Sequence, residues 1–286
     1  VKMIAYVKNK CSDIAFKTFV YILFAILTIL SIFPFLLMVI NATRSTYQIQ
    51  QHAISFIPSK FLMSNWSKFN GKSFNPLTGF FNSLLLSTSC TCLSVYFSTL
   101  TAYGLVVYNW KLRRSFFTFV MAVMMIPGQV MTIGFYQMIY KIGLTNNFLP
   151  LIIPAIAAPS MVFFMRQYLI PSLSLEIIES ARIDGAKEFF TFNMIALPIM
   201  KPAIATQAIF SFVNKWNELF LPLVILTDTK LATMPIMVSM LNGDIYRTEY
   251  GAIYLGLTLT VLPLFVVYFL LSKYIIAGVA LGSVKG

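Results

Sequence analysis

Charge is scarce in this sequence. Only 10% of its 286 residues are Asp, Glu, Lys or Arg, against about 25% in an ordinary soluble domain. With 58% hydrophobic residues, a soluble globular fold of the usual kind is excluded. Acids are scarcer still: 9 stand against 21 Lys and Arg, a formal net charge of +12. In a soluble chain that excess would point to nucleic acid. In one this apolar it fits basic loops facing an anionic membrane leaflet, and no nucleic-acid partner is expected. Histidine occurs once, as His52, which cannot build a metal site alone and reads as a solvated loop residue. Three cysteines cannot form a disulfide framework. Cys90 and Cys92 lie in an apolar run with no second thiol or imidazole cluster, so they read as packing residues rather than a soft-metal site. Walker A, H-E-x-x-H and G-x-S-x-G patterns are missing, as are paired carboxylates in apolar segments. No catalytic residue, metal or cofactor is therefore assigned to the chain itself.

What the sequence has is long apolar runs. About 20 apolar residues are needed for a helix to cross the roughly 30 Å hydrocarbon layer. Six stretches approach this: 18–40, 84–107, 116–139, 148–164, 203–226 and 252–271. The expected fold is all-α, a polytopic membrane protein with six transmembrane helices. Residues 1–17 form a cytoplasmic N-terminal tail and 18–286 one transmembrane domain. The first run follows Lys8, Lys10 and Lys17 like a secretory signal, but it is too long and lacks a clear cleavage site, so it reads as a retained helix. An even number of spans places both termini on one side. Lys2, Lys8, Lys10 and Lys17, then Lys111, Arg113 and Arg114, then Arg166, Arg182, Lys187 and Lys201 mark that side as cytoplasmic. The opposite side is less densely basic, with Arg44, Lys60, Lys68 and Lys72 spread over a longer segment, then Lys141, Lys230 and Arg247. That outer segment, 41–80, carries glycosylation-type triplets at Asn41 and Asn65, a pattern common by chance.

No acid occurs between Asp13 and Glu176; then Glu176, Glu179, Asp184 and Glu188 arrive in one cytoplasmic link of about 172–200. Leu175, Ile178 and Ala181 recur at helical spacing, so 174–183 reads as a short helix. Asp184-Gly185 breaks it, 187–195 reads as a second helix, and Leu197-Pro198 ends that one. A helix-turn-helix outside the bilayer must bury its apolar edge on lipid or on a cytoplasmic partner. Glu179-Ser180-Ala181, Gly185 after three residues, Ile195 after nine more, then Leu197-Pro198, resembles the EAA coupling loop of ABC importer permeases. Ser180 stands where that motif has its middle Ala. The resemblance favours the partner.

Further segments extend the resemblance over nearly the whole chain. Ala181-Arg182-Ile183-Asp184-Gly185-Ala186, Trp216-Asn217-Glu218-Leu219-Phe220, Ile142-Gly143-Leu144-Thr145-Asn146 and Gly282-Ser283-Val284-Lys285-Gly286 are similar to segments of carbohydrate permeases of the maltose-transporter type, in particular their shorter second permease. The resemblance implies an ABC type I importer permease fold in a bacterial cell (inner) membrane. It implies a second, non-identical permease, two ATP-binding subunits that hold ATP and Mg, and an extracellular or periplasmic solute-binding protein that delivers a sugar, a di- or oligosaccharide. The alternative is another solute such as a polyol, peptide or amino acid. The coupling residues would be Glu179, Ser180, Ala181, Asp184, Gly185, Ala186, Ile195, Leu197 and Pro198, and the tail 282–286 would reach toward the ATPases.

Two apolar segments carry polar groups. Lys215 and Glu218 are three apart, flanked by Asn214, Trp216 and Asn217. They read either as an ion pair locking the fifth helix to its neighbours or as a polar wall of the transport path. Gln129, Tyr136 and a kink at Pro127 make the third helix a gate or plain packing. A self-contained secondary transporter is disfavoured by the want of an internal repeat.

Overall fold

A computed structural model describes residues 2–71, 75–241 and 248–283, with no strand among them. The chain divides into two compact units, 1–71 with 241–259, and 72–240 with 260–286. The last helix, Tyr250–Ser283, supplies residues to both.

The first unit is organised by the end of the long helix Lys2–Ala42. That helix is apolar from Phe16 onward, and none of its most apolar stretch is buried by the chain. Its last carbonyls have no partner within the helix and need one elsewhere. Asn65 donates through Nδ2 to the carbonyls of Ala42 (2.8 Å) and Arg44 (2.9 Å). The buried Arg44 guanidinium donates to Asn41 Oδ1 (2.9 Å) and to the carbonyls of His52 (2.8 Å) and Gln48 (2.9 Å). The glycosylation triplets are thereby explained away: Asn41 and Asn65 are buried and bonded. Arg44 is likewise a structural hub rather than a free loop cation. Ser45 and Gln48 close a capping box on helix Thr46–Gln51. Thr46 Oγ1 and Lys68 Nζ both bond Glu249 Oε2, at 2.9 and 2.6 Å.

The second unit is built on helix Pro76–Val107, started by Pro76 behind an Asn75 cap. Gly79, Ser83, Ser87, Cys90, Thr91, Ser94, Ser98 and Ala102 are buried along it. Small residues at this three-to-four spacing let neighbouring backbones approach closely. Pro159–Ser172 and Lys201–Trp216 pack on it. Cys90 belongs to this buried seam and donates to the Leu151 carbonyl, a packing role as expected.

Four helical stretches among the described residues are long and apolar enough to cross a membrane: Phe16–Ala42, Pro76–Val107, Leu149–Ser172 and Tyr250–Leu270. A fifth arises if the bent pair Glu188–Ile199 and Lys201–Trp216 is one crossing. Six uninterrupted helices of that length and apolarity are not found among the described residues. The expected third span is two helices, Arg113–Met124 and Gly128–Lys141. Pro127 has no N–H for the Val123 carbonyl and its ring crowds it, so the helix is cut where only a kink was expected. The expected fifth span stops at Trp216 and resumes as Phe220–Ile225. Pro222 cannot bond back to the Glu218 carbonyl, which breaks the helix just after Trp216.

Candidate functional site

Residues 174–200 fold as an elbow. Ser174 precedes helix Leu175–Ile183, as the sequence indicates. The helix ends in a Schellman turn: Gly185 N–H bonds the Arg182 carbonyl (3.0 Å), and Ala186 N–H bonds the Ala181 carbonyl (2.9 Å). Gly185 takes φ +80°. A Cβ there would meet nothing within 4 Å, so the glycine is required by the left-handed backbone, not by crowding.

The return limb differs from expectation. Helix Glu188–Thr191 passes into a π turn, Phe192–Ala196, and Leu197-Pro198 continues into a last helical turn ending at Ile199. The wider π turn sits where Pro198 leaves the Met194 carbonyl without its i+4 donor, so the proline is absorbed rather than terminating. The direction changes by 80° one residue later, before Lys201–Trp216, where Pro202 removes the next donor.

One face of the elbow is anchored. Ile178, Phe192, Ala196 and Met200 join a core with Tyr103, Met165 and Leu169. Ala181 is buried beside them. The other face is bare. Glu179, Ser180, Asp184 and Gly185 are exposed, and Ile183 is 86% exposed with Phe189, Phe190 and Met194 also outward. Ser180 Oγ bonds the Glu176 carbonyl (2.8 Å), so its hydroxyl is satisfied within the helix. Ile195 and Leu197 are half-buried, and Pro198 is exposed.

A polar clamp closes the elbow. Arg182 Nε lies 2.7 Å from Glu188 Oε1, the Tyr108 hydroxyl donates to Glu188 Oε2, and the Arg182 guanidinium sits 5.4 Å from the Tyr108 ring centroid. Arg182, then Tyr108, hold the Glu188 carboxyl below the usual carboxylate range. Burial, then the bonded carboxylate, pushes the Tyr108 phenol up. Tyr108, Arg182 and Glu188 do not stand out as a group in the sequence. Their spacing along the chain gives no signal, because the end of Pro76–Val107 meets the elbow only in three dimensions.

A cavity of about 710 Å³ lies between the broken third segment, Leu149–Ser172 and Lys201–Trp216. Of the expected path residues, Asn214 and Lys215 line it. Trp216 does not: it is 1% exposed, donates to the Thr260 carbonyl at 2.8 Å and stacks on Phe212. The ring belongs to the core and not to the cavity wall. Tyr136 packs against the cluster holding Leu151 and Ile225. Asn217 is exposed beyond the helix end, and Glu218 bonds Lys215 Nζ at 2.7 Å. The Gln129 side chain lies outside the described residues, as do Val284, Lys285 and Gly286. Gly282 and Ser283 fall in the last turn of Tyr250–Ser283. Ser94, Thr132, Ser160, Gln207 and Ser211 also line the cavity. Hydroxyl and amide side chains scattered singly among apolar residues gave no pattern to read. The turn at Gly143 and Asn146 is structural: both have positive φ, and Asn146 Oδ1 accepts from Thr227 and Asp228. Among the described residues no group of three His, Cys, Asp or Glu could hold a metal.

Residues 94–280 match the family described as "Binding-protein-dependent transport system inner membrane component". The chain is 34% identical to an arabinooligosaccharides transport system permease protein, AraQ, of Halalkalibacterium halodurans, over 92% of this chain and 94% of that one. It is 31% identical to the lactose transport system permease protein LacG of Rhizobium radiobacter, over 93% and 95%. Its fold matches the crystal structure of a bacterial ABC transporter that imports the acidic polysaccharide alginate, with a TM-score of 0.79 at 21% identity, over 92% of this chain and 98% of that one. The chain is a multi-pass membrane permease, not a catalytic enzyme, and it belongs to the family of inner-membrane components of binding-protein-dependent transport systems.

Proposed function

We propose that this chain is one of two unlike permeases of an ATP-driven sugar importer, and that its elbow is gripped by cytoplasmic ATPase subunits. The observation that carries this reading is the two-sided elbow: one face fixed in the core, the other displaying Ile183, Glu179 and Asp184 to a partner. A short rigid helix so anchored transmits a partner's tilt to the membrane helices that hold it. Glu179 offers a carboxylate for a cationic groove, which orients the joint more than it strengthens it. Sugar is supported by the names of the similar permeases, for arabinooligosaccharides and lactose, and by neutral hydroxyl and amide groups on the cavity wall. A solute-binding protein outside and ATP with Mg in the partners complete the cycle, which alternates inward- and outward-facing states. On this reading both termini are cytoplasmic and the membrane is the bacterial inner membrane.

The test is reconstitution with the neighbouring-gene subunits in proteoliposomes. ATP-dependent uptake of a labelled arabino-oligosaccharide or disaccharide, requiring the binding protein, is expected. Uptake that is indifferent to ATP, or an elbow that never crosslinks to an ATPase, overturns the reading.

A further inference from the structure

We infer that Glu218 sets the charge selectivity of the cavity by cancelling Lys215, fitting the chamber to uncharged, hydroxyl-rich solutes rather than anions. The inference rests on the cavity being part of the transport path. Among the described residues that line it, Lys215 is the one with a formal charge. Its ammonium is 2.7 Å from Glu218 Oε2, and the two side chains remain 33% and 28% exposed. An ion pair this open to water contributes little to stability, so locking the helix end is a weak reason for placing two charges here. Its electrostatic effect on the chamber is larger. An unpaired ammonium would project a monopole into a space walled mainly by apolar groups, where fields are focused. Paired, it leaves a dipole whose field falls off faster, while two of its three N–H groups stay available to a solute oxygen. The rest of the polar wall consists of Ser94, Thr132, Ser160, Gln207, Ser211 and Asn214, neutral groups that match hydroxyls. The helix break after Trp216 makes the arrangement possible, because Glu218 lies past the helix end, in the turn that follows it, and reaches back to Lys215.

The experiment reads the cavity's field directly. In the assembled transporter, with Cys11, Cys90 and Cys92 replaced by serine or alanine, Ser160→Cys places a thiol on the exposed wall. Its rates with the anionic reagent methanethiosulfonate ethylsulfonate and the cationic reagent methanethiosulfonate ethyltrimethylammonium are followed by the mass of this subunit. Glu218→Gln is expected to raise the anion-to-cation rate ratio at least about threefold. Lys215→Gln should lower it comparably, and the double variant should return it to the starting value. Loss of packing alone would move both rates together and leave the ratio still. Should Glu218→Gln fail to assemble, Lys215→Gln and the double variant carry the test. A ratio unchanged within twofold in the single variants that assemble overturns the inference. The measurement needs no transport, so absent sugar uptake with a shifted ratio would count against the sugar-importer reading alone.

Discussion

At the scale of single residues, two glycines are required for opposite reasons. Gly185 has open space around it but φ +80°. A substitution there costs backbone energy alone, about 1–2 kcal/mol for an ordinary L-residue and more for a β-branched one. Gly185→Val is expected to leave the protein inserted while severing ATP hydrolysis from uptake, and Gly185→Asn, which tolerates the left-handed region, to retain most of the coupling. The ratio of sugar transported to ATP hydrolysed distinguishes them; equal ratios in both variants would refute the backbone argument. Gly251 shows the reverse. A Cβ there would stand 2.5 Å from the Arg44 carbonyl oxygen and from Asn65 Nδ2, atoms fixed by the bonds that cap the first long helix. Gly251→Ala should therefore destabilise the first unit by about 1–3 kcal/mol, visible as faster hydrogen exchange in 42–69, with the elbow unaffected. Gly79 is a weaker case, since its intruding neighbour is the flexible end of Met237.

At the scale of elements, the Glu188 clamp ties the elbow to the end of Pro76–Val107, and its pH dependence has a definite sign. The carboxyl is held below its ordinary range by Arg182 and Tyr108. Its contribution is thus complete above the unfolded-state value of about 4.3 and is lost as pH falls through the lower folded-state value. Hydrogen exchange at 175–186, taken relative to the intrinsic rate at each pH, should accelerate on acidification below that range in the wild-type chain. In Glu188→Gln it should be fast at every pH, and Tyr108→Phe should fall between. A wild-type profile that is flat through the acid range would remove the clamp from the account. The helical content, the elbow helix and its glycine turn were all legible in the sequence, because they rest on local periodicity and on residues with strong conformational preferences. Pro127 and Pro198 were legible as irregularities but not in their outcome, and the break at Pro222 was not anticipated. A proline states which hydrogen bond is missing; the surrounding packing decides whether the chain kinks, widens into a π turn or stops. The cavity was half legible: Asn214 and Lys215 stood out as polar groups in an apolar run, whereas the burial of Trp216 was not legible, because helical spacing gives a residue's angle and not what covers it.

At the scale of the whole molecule, the two faces of the elbow predict that folding and assembly can be separated by mutation. Ile178 is 1% exposed and sits in the core shared by the elbow and the membrane helices. Ile178→Ala removes buried methylenes and leaves a void, a loss of about 2–5 kcal/mol. It should lower the thermal midpoint of the isolated chain in detergent and, through misplacement of the elbow, weaken ATPase capture as a secondary effect. Ile183, five positions on, is 86% exposed. Ile183→Asp removes no internal contact and adds a charge to a helix end that faces solvent, so the midpoint of the isolated chain should shift by no more than about 0.5 kcal/mol in equivalent stability. In the assembled transporter the same carboxylate would be forced into the interface between elbow and ATPase, where an unpaired charge is costly. Co-purification of the ATPase should fall at least tenfold while the second permease remains bound. If Ile183→Asp captured the ATPase as well as the wild-type chain does, the bare face of the elbow would be facing lipid or water instead. The anchored face would then be an ordinary piece of helix packing, with nothing outside the chain to move it.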